Sequence, residues 1–127
     1  MHVPAETFNL MKLLFYCLQF RKLPRHHHGT RGPVIWEFLM HLLKHPETNP
    51  TLVVWQNKSL YKFKLLRPRF ITKLWNSRPT TRAKKNKNNF ARSIRYHYSS
   101  GTLRSCYAKH AYQCGTQAIE YFNQLGN

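Results

Sequence analysis

"FARSIRYHY", residues 90–98, sets Arg92 and Arg95 three positions apart among aromatic and aliphatic side chains. Residues three and four apart share one side of a helix. At about 100° per residue, a helix over 86–99 gathers Phe90, Ala91, Ile94, His97 and Tyr98 on one side. Asn88, Arg92, Arg95 and Ser99 fall on the other. One side reads as core, the other as an exposed surface bearing two arginines. Two guanidiniums so placed repel each other, so the pattern implies something negative facing them.

The rest of the chain agrees. Among 127 residues there are 21 Lys and Arg against 4 Asp and Glu, a formal net charge of +17. A fold has no internal need for that excess, which costs self-repulsion; a polyanionic partner, nucleic acid or an anionic membrane surface, explains it. With 42% hydrophobic residues the chain has enough apolar material for one domain with a modest core.

Immediately before the arginine stretch, "NSRPTTRAKKNK" (76–87) reads as a basic turn. Ahead of that, "PRFITKLW" (68–75) opens on a proline, a favourable first-turn residue, and runs Phe70, Ile71 and Leu74 along a helix face. "TLVVW" (51–55) and "LYKFKL" (60–65) read as strands around the polar turn "QNKS", with Tyr61, Phe63 and Leu65 alternating with Lys62 and Lys64. In "IWEFLMHLLK" (35–44), Ile35, Trp36, Phe38, Leu39, Leu42 and Leu43 make one stripe, with Glu37, His41 and Lys44 opposite and Pro46 as a stop. After Gly101, "TLRSCY" (102–107) and "KHAYQC" (109–114) read as a hairpin around Ala108. "TQAIEYFNQL" (116–125) is a short amphipathic helix with Ala118, Ile119, Phe122 and Leu125 inward.

That order predicts an α+β winged helix-turn-helix: three helices packed on a small antiparallel β-sheet. The second helix of the pair enters a major groove in such proteins. Trp36, Trp55, Phe63 and Ile94 are expected in the core. The plan divides into an accessory segment and basic linker (1–33), the winged domain (34–114) and a C-terminal short helix (115–127).

The apolar stretch "FNLMKLLFYCLQF" (8–20) is shorter than the roughly 20 residues a bilayer-spanning helix needs. No Lys or Arg precedes it and no small-residue cleavage site follows, so it reads as an accessory helix rather than an export signal or anchor. The linker "RKLPRHHHGTRGP" (21–33) offers Arg21, Lys22, Arg25 and Arg31 as a basic arm. Cys17, Cys106 and Cys114 read as reduced thiols. Cys106, His110 and Cys114 are evenly spaced, but a structural zinc site takes four ligands and no fourth is evident. No metal or cofactor is expected. Nor is catalysis: the chain has no Asp, its four glutamates form no pair, and no Gly-rich phosphate loop is present.

Taken together, residues 34–114 resemble the ETS domain, with the epithelium-specific branch of that family nearest. Trp36, Trp55 and Trp75 stand at spacings of 19 and 20 residues, similar to the family's tryptophan repeat. "IWEFL", "KFKL" and "KLW" resemble its first helix, second strand and the end of its second helix. "FARSIRYHY" resembles its recognition-helix motif. The pattern departs in places: Asn76 for the usual Gly after the third Trp, Lys87 for a tyrosine, His97 within the tyrosine run and Cys114 for an aromatic. The turn before the recognition helix is one residue longer, the hairpin is shorter, and the family's phosphate-binding wing tyrosine has no clear counterpart.

The resemblance implies that Arg92 and Arg95 read the GG of a GGAA or GGAT core, with Tyr96 touching a nearby base or the backbone. A guanidinium forks its donors onto O6 and N7 of guanine, which suits two arginines one turn apart. It also implies a phosphate-donor role for the indole of Trp75. The backbone N–H groups near Ile35, at the start of the first helix, are anion sites on physical grounds. Lys84, Lys85 and Lys87 in and after the basic turn, and Arg104 and Lys109 in the hairpin, are phosphate candidates. "RAKKNK" (82–87) also suits a nuclear import signal. The expected protein is thus a nuclear, sequence-specific binder of double-stranded DNA in the major groove, acting as a monomer. The rivals are a general RNA-binding protein and a decayed ETS fold that binds a protein partner.

Overall fold

The computed structural model describes residues 34–77 and 86–126. Its elements run α1 (Ile35–Lys44), β1 (Val53–Asn57), a 3-10 turn (Lys58–Leu60), β2 (Lys62–Leu65), α2 (Pro68–Ser77), α3 (Lys87–Arg95), β3 (Leu103–Ser105), β4 (Ala111–Cys114) and α4 (Thr116–Gln124). The strands form one antiparallel sheet in the order β1-β2-β4-β3. Four helices and this sheet make an α+β winged helix-turn-helix, with α2 and α3 as the helix pair and β3–β4 as the wing. The apolar stretch 8–20, the basic linker, and Lys84 and Lys85 lie outside the described residues.

Strand alternation sorts the side chains. Trp55 pairs with Phe63 and Phe63 with Tyr112, which puts these three aromatics on one face, toward the helices. Lys62 pairs with Gln113 and Gln113 with Arg104, a polar row on the opposite face. The first turn lies two residues later than its polar run suggested. β1 continues to Asn57, whose side-chain oxygen accepts from the Ser59 hydroxyl (2.7 Å) and the Leu60 N–H (3.3 Å). These bonds tighten a single 3-10 turn, and Tyr61 then takes a left-handed backbone, φ 55°.

α1 matches its predicted span but not its predicted faces. Glu37 and His41, placed opposite the apolar stripe, are 1% and 7% exposed. The reason is α4, which lies across that side. The His41 ring meets the Tyr121 hydroxyl, Trp36 packs edge-on to Tyr121 at 5.3 Å, and the Lys44 ammonium sits 4.4 Å from the Phe122 ring centre. Glu37 turns back to accept the Val34 N–H at 3.1 Å, satisfying a donor that the helix start leaves open. A helix apolar on one stripe has become buried on every side.

The core joins Phe38, Leu39 and Leu42 of α1 to Phe63 and Leu65 of β2, Ile71 and Leu74 of α2, and Phe90 and Ile94 of α3. Trp36, Phe63 and Ile94 are buried as expected. Trp55 is only half-buried, because β1 is an edge strand; its ring meets Phe63 and Phe122 edge-on at 6.2 and 5.3 Å.

Candidate nucleic-acid interface

α3 begins where Asn86 caps it: its side-chain oxygen accepts the Asn89 N–H at 2.8 Å, the usual N-cap bond. The helix ends at Arg95, four residues short of the predicted limit, and Tyr96–Ser100 continue as turns. Gly101, at φ +75°, then reverses the chain into β3. Phe90 and Ile94 are buried, while Ala91, His97 and Tyr98 are half-buried. Arg92 and Arg95 are exposed on the other side, together with Asn88 and Ser99.

Phe90 anchors the helix. Its ring meets Trp75 edge-on at 6.3 Å, and Trp75 meets Phe38 of α1 at 5.2 Å. A chain of three rings therefore ties the arginine-bearing helix to α2 and α1. Such edge-to-face pairs add about 0.5–1.5 kcal/mol each beyond their area. Trp75 is half-buried, and its Nε1 atom is buried.

Tyr96, the cap residue at the end of α3, is 82% exposed next to the two arginines. Lys109 stands in the hairpin turn and shares one cleft with Arg95. Arg104 projects from the other side of its strand, opposite buried Leu103, into the row with Gln113 and Lys62. Ile35 is the first residue of α1; its side chain is buried, and the neighbouring Val34 N–H already meets the Glu37 carboxylate. Lys87 opens α3. The structure thus groups Arg92, Arg95, Tyr96 and Lys109 about α3 and the hairpin turn, with Arg104 on a separate face.

No Asp or Glu occurs in α3, β3 or β4 or between them. The field over this region is therefore positive, as a polyanion requires. Tyr107, which the strand pattern places within a strand, is fully exposed at the hairpin turn. Its position next to Ala108, the expected centre of the turn, was the available signal. Cys106 is half-buried and Cys114 buried, with its Sγ 3.8 Å from Met40 Sδ. Among the described residues no three His, Cys, Asp or Glu side chains gather as a metal site, and no helix is long and apolar enough to cross a membrane.

A helix pair whose second member carries an exposed arginine face, followed by a short β-wing, defines a winged helix-turn-helix protein. The Ets-domain family profile matches residues 32–114, and the chain belongs to that family. It is 36% identical over 98 residues to the ETS-related transcription factor Elf-3 of Homo sapiens, which covers 74% of this chain and 24% of that protein. It is 31% identical over 83 residues to the ETS homologous factor of Homo sapiens, covering 60% of this chain and 25% of that one. Both are epithelium-specific members of the family. The chain spans about a quarter of the length of these relatives.

Proposed function

We propose that the chain is a DNA-binding transcription factor that reads a GGAA or GGAT core in double-stranded DNA, with α3 in the major groove. One observation carries the reading. Arg92 and Arg95 are exposed one turn apart, on the side of α3 opposite the buried Phe90 and Ile94. In that geometry each guanidinium addresses its own guanine through O6 and N7, and Tyr96 touches a neighbouring base or the backbone. The flanking phosphates go to the N–H groups at Ile35, to Lys84, Lys85, Lys87 and Lys109, to Arg104 from the outer face of the wing, and to the Trp75 indole, whose buried Nε1 must first be uncovered. The protein binds as a monomer in the nucleus, without cofactor, catalysis or membrane attachment. The family membership and the two named transcription factors support this reading.

Competition titration tests it. A GGAA or GGAT duplex should bind about 10³ times tighter than a scrambled duplex or a structured RNA at one fixed salt concentration. Equal affinity for all three defeats the sequence-specific reading and leaves a general polyanion binder.

A further inference from the structure

Between α3 and the β3–β4 hairpin lies a cleft of about 440 Å³. That falls within the roughly 300–1,000 Å³ of small-molecule sites. Half-buried Tyr98 and Ala91, with the edge of the largely buried Tyr112, supply apolar and aromatic surface above buried Phe90 and Ile94, Arg95 and Lys109 supply positive charge, and among the described residues no Asp or Glu lines the cleft. The Tyr112 hydroxyl adds a donor. Burial pushes its pKa up to about 12, aided by Tyr98 and opposed by Arg95, so the phenol keeps its proton at neutral pH.

The two halves of this lining constrain the ligand. A bare inorganic anion would satisfy the cations and leave the aromatic surface against water. A purely apolar molecule would desolvate Arg95 and Lys109 without giving them a partner, at a cost. A molecule joining a ring to an acid group satisfies both, since charge-assisted bonds to the acid are the stronger kind. We infer that the cleft is a binding site for a small aromatic anion, one ring carrying one phosphate or carboxylate, and that its occupant competes with guanine for Arg95. The competition rests on the reading of Arg95 as a DNA contact, whereas the occupancy does not.

The test uses the full chain and phenyl phosphate as the probe, with inorganic phosphate and phenol as charge-only and ring-only controls. Calorimetric titration should give one site per chain, at least tenfold tighter for phenyl phosphate than for either control. Amide chemical-shift changes should be largest at Ala91, Ala111 and Tyr112. Ala91→Leu and Ala108→Leu fill the cleft from its two walls, one in the helix and one in the exposed turn. Each should weaken phenyl phosphate at least tenfold while melting like the parent. Phenyl phosphate binding no tighter than inorganic phosphate overturns the site, as does parental affinity in whichever filling variants fold.

In a second arm, GGAA duplex is titrated with phenyl phosphate held at ten times its Kd. Duplex affinity should drop about tenfold by mass action, and at the same probe concentration the drop in Ala108→Leu should shrink to about twofold or less. An unchanged duplex affinity overturns the competition. If scrambled duplex binds as tightly as GGAA, the DNA reading is what has failed, and the cleft is judged on the first arm.

Discussion

His41 Nε2 and the Tyr121 hydroxyl lie 2.7 Å apart, though 80 residues separate them in the chain. The bond is buried and joins α1 to α4. Burial, with the nearby Glu37 charge adding to it, raises the Tyr121 pKa above its ordinary value, so the phenol stays neutral. Removing the hydroxyl leaves a buried imidazole nitrogen without this partner. Tyr121→Phe should therefore cost about 1–3 kcal/mol, the usual effect of removing one partner from a buried hydrogen bond. Thermal melting checks this, with Trp36→Ala as a reference expected to lose about 3–5 kcal/mol of core packing. Parental melting of Tyr121→Phe would show that the bond does not hold α4 in place.

The approach of Gly115 to Gly101 gives a second prediction. A Cβ at Gly115 would run into the Gly101 carbonyl oxygen, a backbone atom that cannot swing aside as a side chain does. Gly115 also donates its N–H to Thr102 O at 2.8 Å, so the two segments are fixed to each other. Gly115→Ala should cost about 1–3 kcal/mol by overpacking. Gly126→Ala, with nothing within 4 Å of its Cβ, should stay within about 0.5 kcal/mol of the parent. Urea midpoints at matched slopes compare the two, and equal midpoints would sink the close-approach argument.

The pH dependence of stability has two limbs. Burial lowers the His97 pKa below its ordinary 6.5. As pH falls, the unfolded chain takes up that proton first. The contribution of His97 is thus complete above about 6.5 and is lost as pH drops through the lower folded value. On the alkaline side Tyr112, raised from 10.0 to about 12, stays protonated in the folded state after the unfolded chain has ionised. Stability from that group is present below 10 and lost as pH rises toward 12. His97→Gln should flatten the acid limb, and Tyr112→Phe should flatten part of the alkaline limb, since burial raises Cys114 and Tyr121 as well, in denaturant midpoints across pH. A parental acid limb in His97→Gln would contradict the burial of that ring.

Local pattern revealed much of this fold, and long-range contact supplied the rest. The span of α1, the hairpin around Ala108 and the two sides of α3 follow from helical and strand periodicity, which neighbouring residues determine. Glu37 and His41 could not be placed that way. Their side of α1 is polar by sequence, and only the docking of α4 makes it interior. The end of α3 is not legible in the pattern, because Tyr98 keeps the helical spacing of Phe90 and Ile94 while sitting in the turn that follows Arg95. Arg104 and Lys109 look alike in a basic hairpin. The strand register and the turn send them to different faces, which a count of charges does not reveal.

The last prediction separates reading a base from holding a phosphate. Arg92 and Arg95 project from α3 opposite Phe90 and Ile94, so in the proposed complex they meet base edges. Arg92→Ala or Arg95→Ala should cost about 1–3 kcal/mol, with discrimination collapsing at the base that arginine reads. Arg→Lys at either position should fail as well, because a single ammonium cannot fork onto O6 and N7. Lys84 and Lys85 precede the helix, where the DNA backbone would pass. Alanine at either should weaken every duplex by a similar factor and flatten the salt dependence by close to one unit of slope. Binding titrations of these six variants against every single-base change in the core, at two or more salt concentrations, distinguish the two behaviours. If Arg95→Ala lowers all affinities alike and reduces the salt slope, that arginine is a phosphate clamp, and the reading of the GG step must move to other residues.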